Sequence, residues 1–121
     1  MLLGTIVDTE TQACLVDDVK KTNSAFERMQ GLLFRKKLEP MQALWIEPCP
    51  SIHTIGMTYA IDVIFLDKHG LVLKVVENLA PLRMALCKGA IVSLEMRAGS
   101  AKLANIQAGL TLSWKQKDKI I

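Results

Sequence analysis

The sequence predicts a mainly β fold of the α+β class, a small barrel-like or sandwich domain of about seven short strands with one or two short helices. Two apolar patterns support this prediction. Val63–Leu66 is an uninterrupted apolar run bounded by turn signals, which is typical of a strand buried on both faces. Ile91–Arg97 alternates between two sets of side chains, with Val92, Leu94 and Met96 on one side, which predicts a half-buried strand.

A β-hairpin over residues 62–77 is the clearest local prediction. Asp67 and Gly70 stand at the first and fourth positions of a turn, where a type I turn prefers these residue types. Leu71–Glu77 then returns as the second strand and pairs with the buried run. The chain is therefore expected to be organised around the first strand of this hairpin.

The other predicted elements are short. Further strands are predicted at Leu2–Val7, Ala13–Val16, Ala43–Ile46 and Leu110–Trp114. Ser24 and Glu27 form a capping box, which predicts a helix of about two turns that begins here. A second short helical turn is expected after Gly99, and Met84–Ala90 is expected to be an apolar loop.

Length and composition favour one cytoplasmic domain. The chain has 121 residues and a mass of 13.4 kDa, so we expect a single domain over residues 1–114 and a basic tail over residues 115–121. Half of the residues are hydrophobic but only 5% are aromatic, which predicts an aliphatic core. No apolar run approaches the ~20 residues of a spanning helix. Residues 1–8 also lack the basic start of a signal peptide.

The cysteine and histidine content argues against a metal or cofactor site. The three cysteines are widely spaced, no Cys-x-x-Cys is present, and the chain has only two histidines. The net charge of +3 is mild, and no aromatic residues interleave the basic clusters as single-strand binding would favour. The sequence therefore predicts no metal, no cofactor and no nucleic-acid partner.

Asp62 opens the central strand and is expected to share a face with Ile64 and Leu66. A carboxylate on a core face needs a partner, because an unpaired buried charge costs several kcal/mol. In a structural interpretation the partner is Arg28, whose guanidinium pairs in bidentate fashion with Asp62 and holds the first helix against the strand.

Five short motifs stand out by their order and spacing. They are Glu27-Arg28-x-x-Gly31-Leu-Leu, His53-x-x-Gly56-Met57, Ile61-Asp62-x-x-Phe65-Leu66-Asp67, Pro81 and Leu94-Glu95-x-x-x-Gly99. Together they resemble domain-of-unknown-function family 192, small bacterial and archaeal proteins, over about residues 13–114. Ala60 stands where the family usually has Pro. Leu110, which follows Gly109, stands where the family often has an acidic residue. The resemblance implies a compact, mostly β, barrel-like domain and brings no established activity.

The motif side chains form a candidate ligand site, with no residue assigned a catalytic role. The candidates are Arg28, His53, Met57, Asp62 and Glu95. In a functional interpretation they surround a pocket near the central strand that binds a small polar or anionic ligand. The chain has no nucleophile elbow, phosphate loop, metal-ligand spacing or dinucleotide fingerprint, so the sequence favours a binding or accessory domain over an enzyme.

Two other functions stay open from the sequence. A low-turnover hydrolase could depend on a carboxylate or on Cys49 as nucleophile and His53 as base. In the cysteine version, Asp62 or Glu95 would orient the histidine. A protein-interaction module, with a protein partner in place of the small ligand, would instead present an exposed apolar patch of more than a few hundred Å².

Overall fold

A computed structural model of the chain describes residues 1–24 and 37–117. Within them lie nine strands and one short helix: β1 Leu2–Asp8, β2 Cys14–Lys21, β3 Gln42–Ile46, β4 Ser51–His53, β5 Ile61–Leu66, β6 Val72–Leu79, β7 Met84–Leu86, β8 Val92–Arg97, α1 Ser100–Leu103 and β9 Leu112–Gln116. The predicted mainly β fold with few helical residues is confirmed. The helix predicted to begin at Ser24 falls on residues outside the described ranges, as does its residue Arg28.

Seven of the strands form one curled sheet in the order β6-β5-β8-β3-β2-β1-β9. Its pairs are antiparallel except β2–β3, which is parallel. The two edge strands, β6 and β9, meet at one end of the sheet. There the Val72 N–H donates to the Leu110 carbonyl and the Leu112 N–H donates to the Gly70 carbonyl, both at 2.8 Å. This seam closes one end of a half-barrel.

Gly70 allows the two outer strands to approach each other. Its φ is +85°, and a Cβ atom at this position would collide with the Leu112 carbonyl oxygen. We expect Gly70→Ala to lower the free energy of unfolding by about 3 kcal/mol, because it adds left-handed strain and pushes the seam apart. Chemical denaturation measures the loss.

Gly109→Ala is the matched control for this substitution. Gly109 has a similar φ of +98°, but a Cβ atom at this position would have no neighbouring atom within 4 Å in the described part of the chain. This variant should therefore lose only the backbone cost of about 1 kcal/mol. Equal losses in the two variants would contradict the close approach at the seam.

The hairpin prediction is confirmed by β5, β6 and their turn. The Gly70 N–H donates to the Asp67 carbonyl at 3.0 Å, and one Asp67 carboxylate oxygen accepts from the N–H groups of His69 and Leu71. Every residue of β5 is buried, as the apolar run predicts. The carboxylate therefore holds the turn that aligns the two strands.

Two apolar clusters occupy the two faces of the curled sheet. The inner cluster fills the half-barrel and includes Ile6, Val19, Ile64, Leu94, Ala101 and Ile106. The outer cluster lies on the opposite face and consists of Leu44, Ile46, Ile52, Met57, Ile61, Val63, Phe65, Ala85 and Ala90. Strands β4 and β7 pair as a separate two-stranded sheet, here called the covering sheet, and contribute Ile52 and Ala85 to the outer cluster.

The outer cluster corrects two predictions made from the sequence. β8 is not half-buried, because Ser93 and Glu95 on its second face are buried as well. Met84–Ala90 is not a loop throughout, because β7 occupies its first three residues. Both errors have one cause: a second layer covers a sheet face that was expected to meet solvent.

The last strand lies further along the chain than expected. β9 covers Leu112–Gln116 and pairs along β1, where Lys115 faces Thr5. The division into a domain over residues 1–114 and a tail over residues 115–121 stays a prediction. Within the described residues, no helix has both the length and the hydrophobicity needed to cross a bilayer.

Candidate functional site

The carboxylate of Asp62 is completely buried, with a relative exposure of 0%, and it points to the face of the inner cluster. Three backbone N–H groups donate to it: Asn78 to Oδ1 at 2.9 Å, and Gly99 and Ala101 to Oδ2 at 3.0 Å each. Gly99 and Ala101 flank the first residue of α1. Asp62 therefore ties α1 and the end of β6 to the central strand.

These contacts define the partner of Asp62 among the described residues. From the sequence we expected a carboxylate on this face to have a partner. The backbone N–H groups at the end of β6 and at the start of α1 are that partner. The proposed ion pair with Arg28 lies outside the described residues, so it stays a prediction. The observed contacts give Asp62 a structural role that does not depend on Arg28.

Glu95 lies on the other face of the sheet. In β8 it stands between Val63 of β5 and Leu44 of β3, and both of these neighbours belong to the outer cluster. The side chain is almost fully buried, with 3% relative exposure, and its Oε2 atom has no hydrogen-bond partner within residues 1–24 and 37–117. Burial raises the pKa of Glu95 to about 8. Near pH 7 the carboxyl is therefore mostly protonated.

Tyr59 is a second polar side chain at the outer cluster and was not among the predicted site residues. Its hydroxyl is buried and has no hydrogen-bond partner in the described part of the chain. Burial raises the pKa of Tyr59, and the negative charge of Glu95 raises it further. The Lys37 ammonium lies 5.3 Å from the ring centroid of Tyr59.

The predicted site residues separate into distinct environments. Met57 is a member of the outer cluster, on the same face as Glu95. Asp62 faces the opposite side of the sheet, and His53 is exposed on β4. The structure thus brings Met57 and Glu95 to one face, adds Tyr59 to them, and places Asp62 elsewhere.

A sequence signal for Tyr59 existed but was weak. It is the only tyrosine of the chain, and it follows the His53-x-x-Gly56-Met57 motif by two residues. A single aromatic hydroxyl in a polar stretch resembles an ordinary loop residue. Its hydroxyl is buried at the outer cluster, to which the covering sheet contributes Ile52 and Ala85, and the sequence did not predict that sheet.

The Cys49 thiol is not positioned by a histidine in the described residues. Its Sγ donates to the Ser51 carbonyl at 3.0 Å, while its own carbonyl accepts from the Ser93 hydroxyl at 2.5 Å. In the ranges that the structure covers, no three His, Cys, Asp or Glu side chains come together as metal ligands. Among the described residues, we therefore take Glu95 and Tyr59 as the candidate site, because each has a buried oxygen without a hydrogen-bond partner.

Solved structures similar to this chain support the fold. One is a protein of unknown function from Novosphingobium aromaticivorans DSM 12444, with a TM-score of 0.72, 20% sequence identity, and coverage of 93% of this chain and 84% of that chain. Another is described as "a putative transcription regulator" from Sinorhizobium meliloti 1021, with a TM-score of 0.76, 18% identity, and coverage of 93% and 92%. At these identities the likeness establishes the fold alone.

Comparison by sequence establishes the family. No curated protein matches the chain. The family model DUF192, described as "Uncharacterized ACR, COG1430", matches residues 5–114. That range contains all five motifs found in the sequence. The chain therefore belongs to the DUF192 family.

Proposed function

We propose that this protein is a small-ligand binding domain whose site lies at the outer cluster, with Glu95 and Tyr59 as its hydrogen-bonding groups and Met57 in its apolar wall. The supporting observation is the pair of buried oxygens, Glu95 Oε2 and Tyr59 Oη, that lack partners within the described ranges. Leaving a buried polar group unsatisfied costs about 1–3 kcal/mol. A bound molecule that hydrogen bonds to both groups would remove this cost.

The chemistry of the two groups favours a polar ligand over an anionic one. A protonated Glu95 carboxyl and the Tyr59 hydroxyl can each donate and accept a hydrogen bond. An anion beside Glu95 would be repelled once that carboxyl loses its proton. The ligand class that fits is a small molecule with an apolar body and a hydroxyl, amide or amine group, because Glu95 and Tyr59 both lie at the apolar outer cluster.

The test uses Tyr59 as a local probe, since it is the only tyrosine of the chain. Tyrosine labelled in its ring gives one NMR signal, which is followed during titration with small alcohols, amides, amines, sugars and carboxylates. We expect a saturable shift with at least one polar class and none with the carboxylates. Thermal denaturation of the same samples should show a higher melting temperature with the binding compound.

Two variants connect the signal to the site. Glu95→Met should weaken binding of the identified compound by about tenfold or more, because it removes the hydrogen-bonding group while keeping a side chain of similar length. Glu77→Met is the matched control, because Glu77 is exposed on β6 and binding should not change. No shift with any class, or equal weakening in both variants, would contradict the proposal.

A binding or accessory domain acts through the molecule that it binds. The compound that shifts the Tyr59 signal in the titration therefore identifies the ligand class. The cytoplasmic location predicted from the sequence remains a prediction that accompanies this function.

A further inference from the structure

Four of the seven exposed large apolar side chains among the described residues lie on the covering sheet or in the turns next to it. Ladder pairs join Ser51 to Leu86 and His53 to Met84, and they alternate with the buried pair of Ile52 and Ala85. The side chains of Met84 and Leu86 therefore stand on the side that faces away from the outer cluster.

The same row extends beyond the ladder into the adjoining loops. The Leu82 N–H donates to the Thr54 carbonyl at 3.3 Å, and the Thr54 N–H donates to the Arg83 carbonyl at 2.8 Å, so the two segments stay side by side. Ile55 and Leu82 lie in the turns next to the ladder and are exposed as well. We call Ile55, Leu82, Met84 and Leu86 the apolar row; their relative exposures are 58%, 69%, 66% and 59%.

Thr54 holds the two segments of the apolar row in a fixed arrangement. This residue is fully buried, its hydroxyl donates to the Ala80 carbonyl at 2.6 Å, and it accepts from the Arg83 N–H at 2.8 Å. The hydrogen bonds of Thr54 thus fix the backbone that carries the exposed side chains. The apolar row is therefore exposed in the folded state.

The segments that carry the apolar row contain basic residues and no acidic ones. Residues 48–61 and 79–94 contain no Asp or Glu, and their charged residues are Arg83 and Lys88, both exposed. Lys74 of β6 adds a third cation, because its exposed ammonium donates to the Leu86 carbonyl at 3.2 Å; the exposed acid of the same strand, Glu77, has no such contact with the covering sheet among the described hydrogen bonds. Cations therefore border the apolar row without compensating acidic residues from its own segments.

We propose that the apolar row and its bordering cations dock on the surface of an anionic phospholipid bilayer. Aliphatic side chains enter the boundary of the acyl chains, while Lys and Arg meet the phosphate groups. A protein partner fits less well, because Lys is depleted from protein interfaces and two of the three bordering cations, Lys74 and Lys88, are lysines.

The test is flotation of the full chain with vesicles, using phosphatidylcholine mixed with phosphatidylglycerol and phosphatidylcholine alone. We expect binding to the mixed vesicles, little binding to the neutral ones, and a decline as salt rises. Leu82→Ser and Lys88→Glu should each reduce the partition coefficient by about tenfold. Met84→Ser gives a second, independent apolar change.

Matched controls come from α1, on another part of the surface. Leu103 is exposed to 70%, as Leu82 is to 69%, and Lys102 is also exposed. Leu103→Ser and Lys102→Glu should leave vesicle binding unchanged. Circular dichroism checks that each variant is folded.

Several results would overturn the proposal. One is the absence of binding to the mixed vesicles, and another is equal weakening by the α1 variants, which would indicate a general charge effect. Self-association that Leu82→Ser abolishes, without vesicle binding, would assign the row to a second copy of the chain. Binding to an acidic peptide with the same Leu82 dependence, again without vesicle binding, would assign it to a protein partner.

Discussion

Replacing Asp62 with alanine is expected to lower the free energy of unfolding by about 4 kcal/mol or more. The carboxylate accepts hydrogen bonds from the backbone of Asn78, Gly99 and Ala101, and hydrogen bonds to a charged group contribute about 1.5–3 kcal/mol each. The substitution would leave these N–H groups without their acceptor at a fully buried position. Denaturant titration followed by circular dichroism measures the change.

Two further variants show whether the loss comes from hydrogen bonding at this position. Asp62→Asn keeps the volume but replaces one acceptor oxygen by a donor, so it should lose about 2 kcal/mol. Asp67→Ala removes a carboxylate that also accepts from two backbone N–H groups, but in an exposed turn where water can replace it. A loss in Asp67→Ala as large as in Asp62→Ala would contradict the importance of burial.

Glu95 is expected to make stability fall with rising pH. Burial raises its pKa from 4.5 to about 8, so between these values the folded protein keeps a proton that the unfolded chain has released. Stability is therefore highest below the unfolded pKa, decreases through the window, and levels off above pH 8. The slope is about 1.4 kcal/mol per pH unit, with an upper limit of about 5 kcal/mol over the window.

The measurement compares wild type with Glu95→Gln by denaturant titration at several pH values. The variant has no carboxyl to ionise, so it should become more stable than wild type above about pH 8. Glu77→Gln changes an exposed carboxyl of β6 and should keep the wild-type slope. The NMR signal of a labelled Tyr59 ring should follow the same ionisation, since Glu95 influences its charge state. Parallel curves for wild type and Glu95→Gln would contradict the prediction.

The sequence predicted the central part of the fold because its signals there are local. The apolar run of β5, the turn residues Asp67 and Gly70, and the alternation in β8 each act over a few residues. The need of Asp62 for a partner also followed from its place on a core face. The identity of that partner did not, because backbone amides from Asn78 and Gly99 have no signature in the sequence.

The candidate site was harder to predict because it depends on a second layer. β4 and β7 are three residues each and lie in proline-containing or ambiguous stretches, so no periodic pattern marks them. Glu95 was expected on the exposed side of a half-buried strand, but it lies on the face of the outer cluster and is buried there. Its buried position and the nearby Tyr59 hydroxyl emerge only from the tertiary arrangement.

The pairing of β1 with β9 has a consequence for synthesis on the ribosome. Among the described strands, β1 comes first in the chain and β9, the partner of its second edge, comes last. During synthesis that edge of β1 therefore stays open until β9 has been made, and such edges invite pairing with other chains. Because contacts so distant in sequence form slowly, we expect the pairing of β1 with β9 to be a late step of folding.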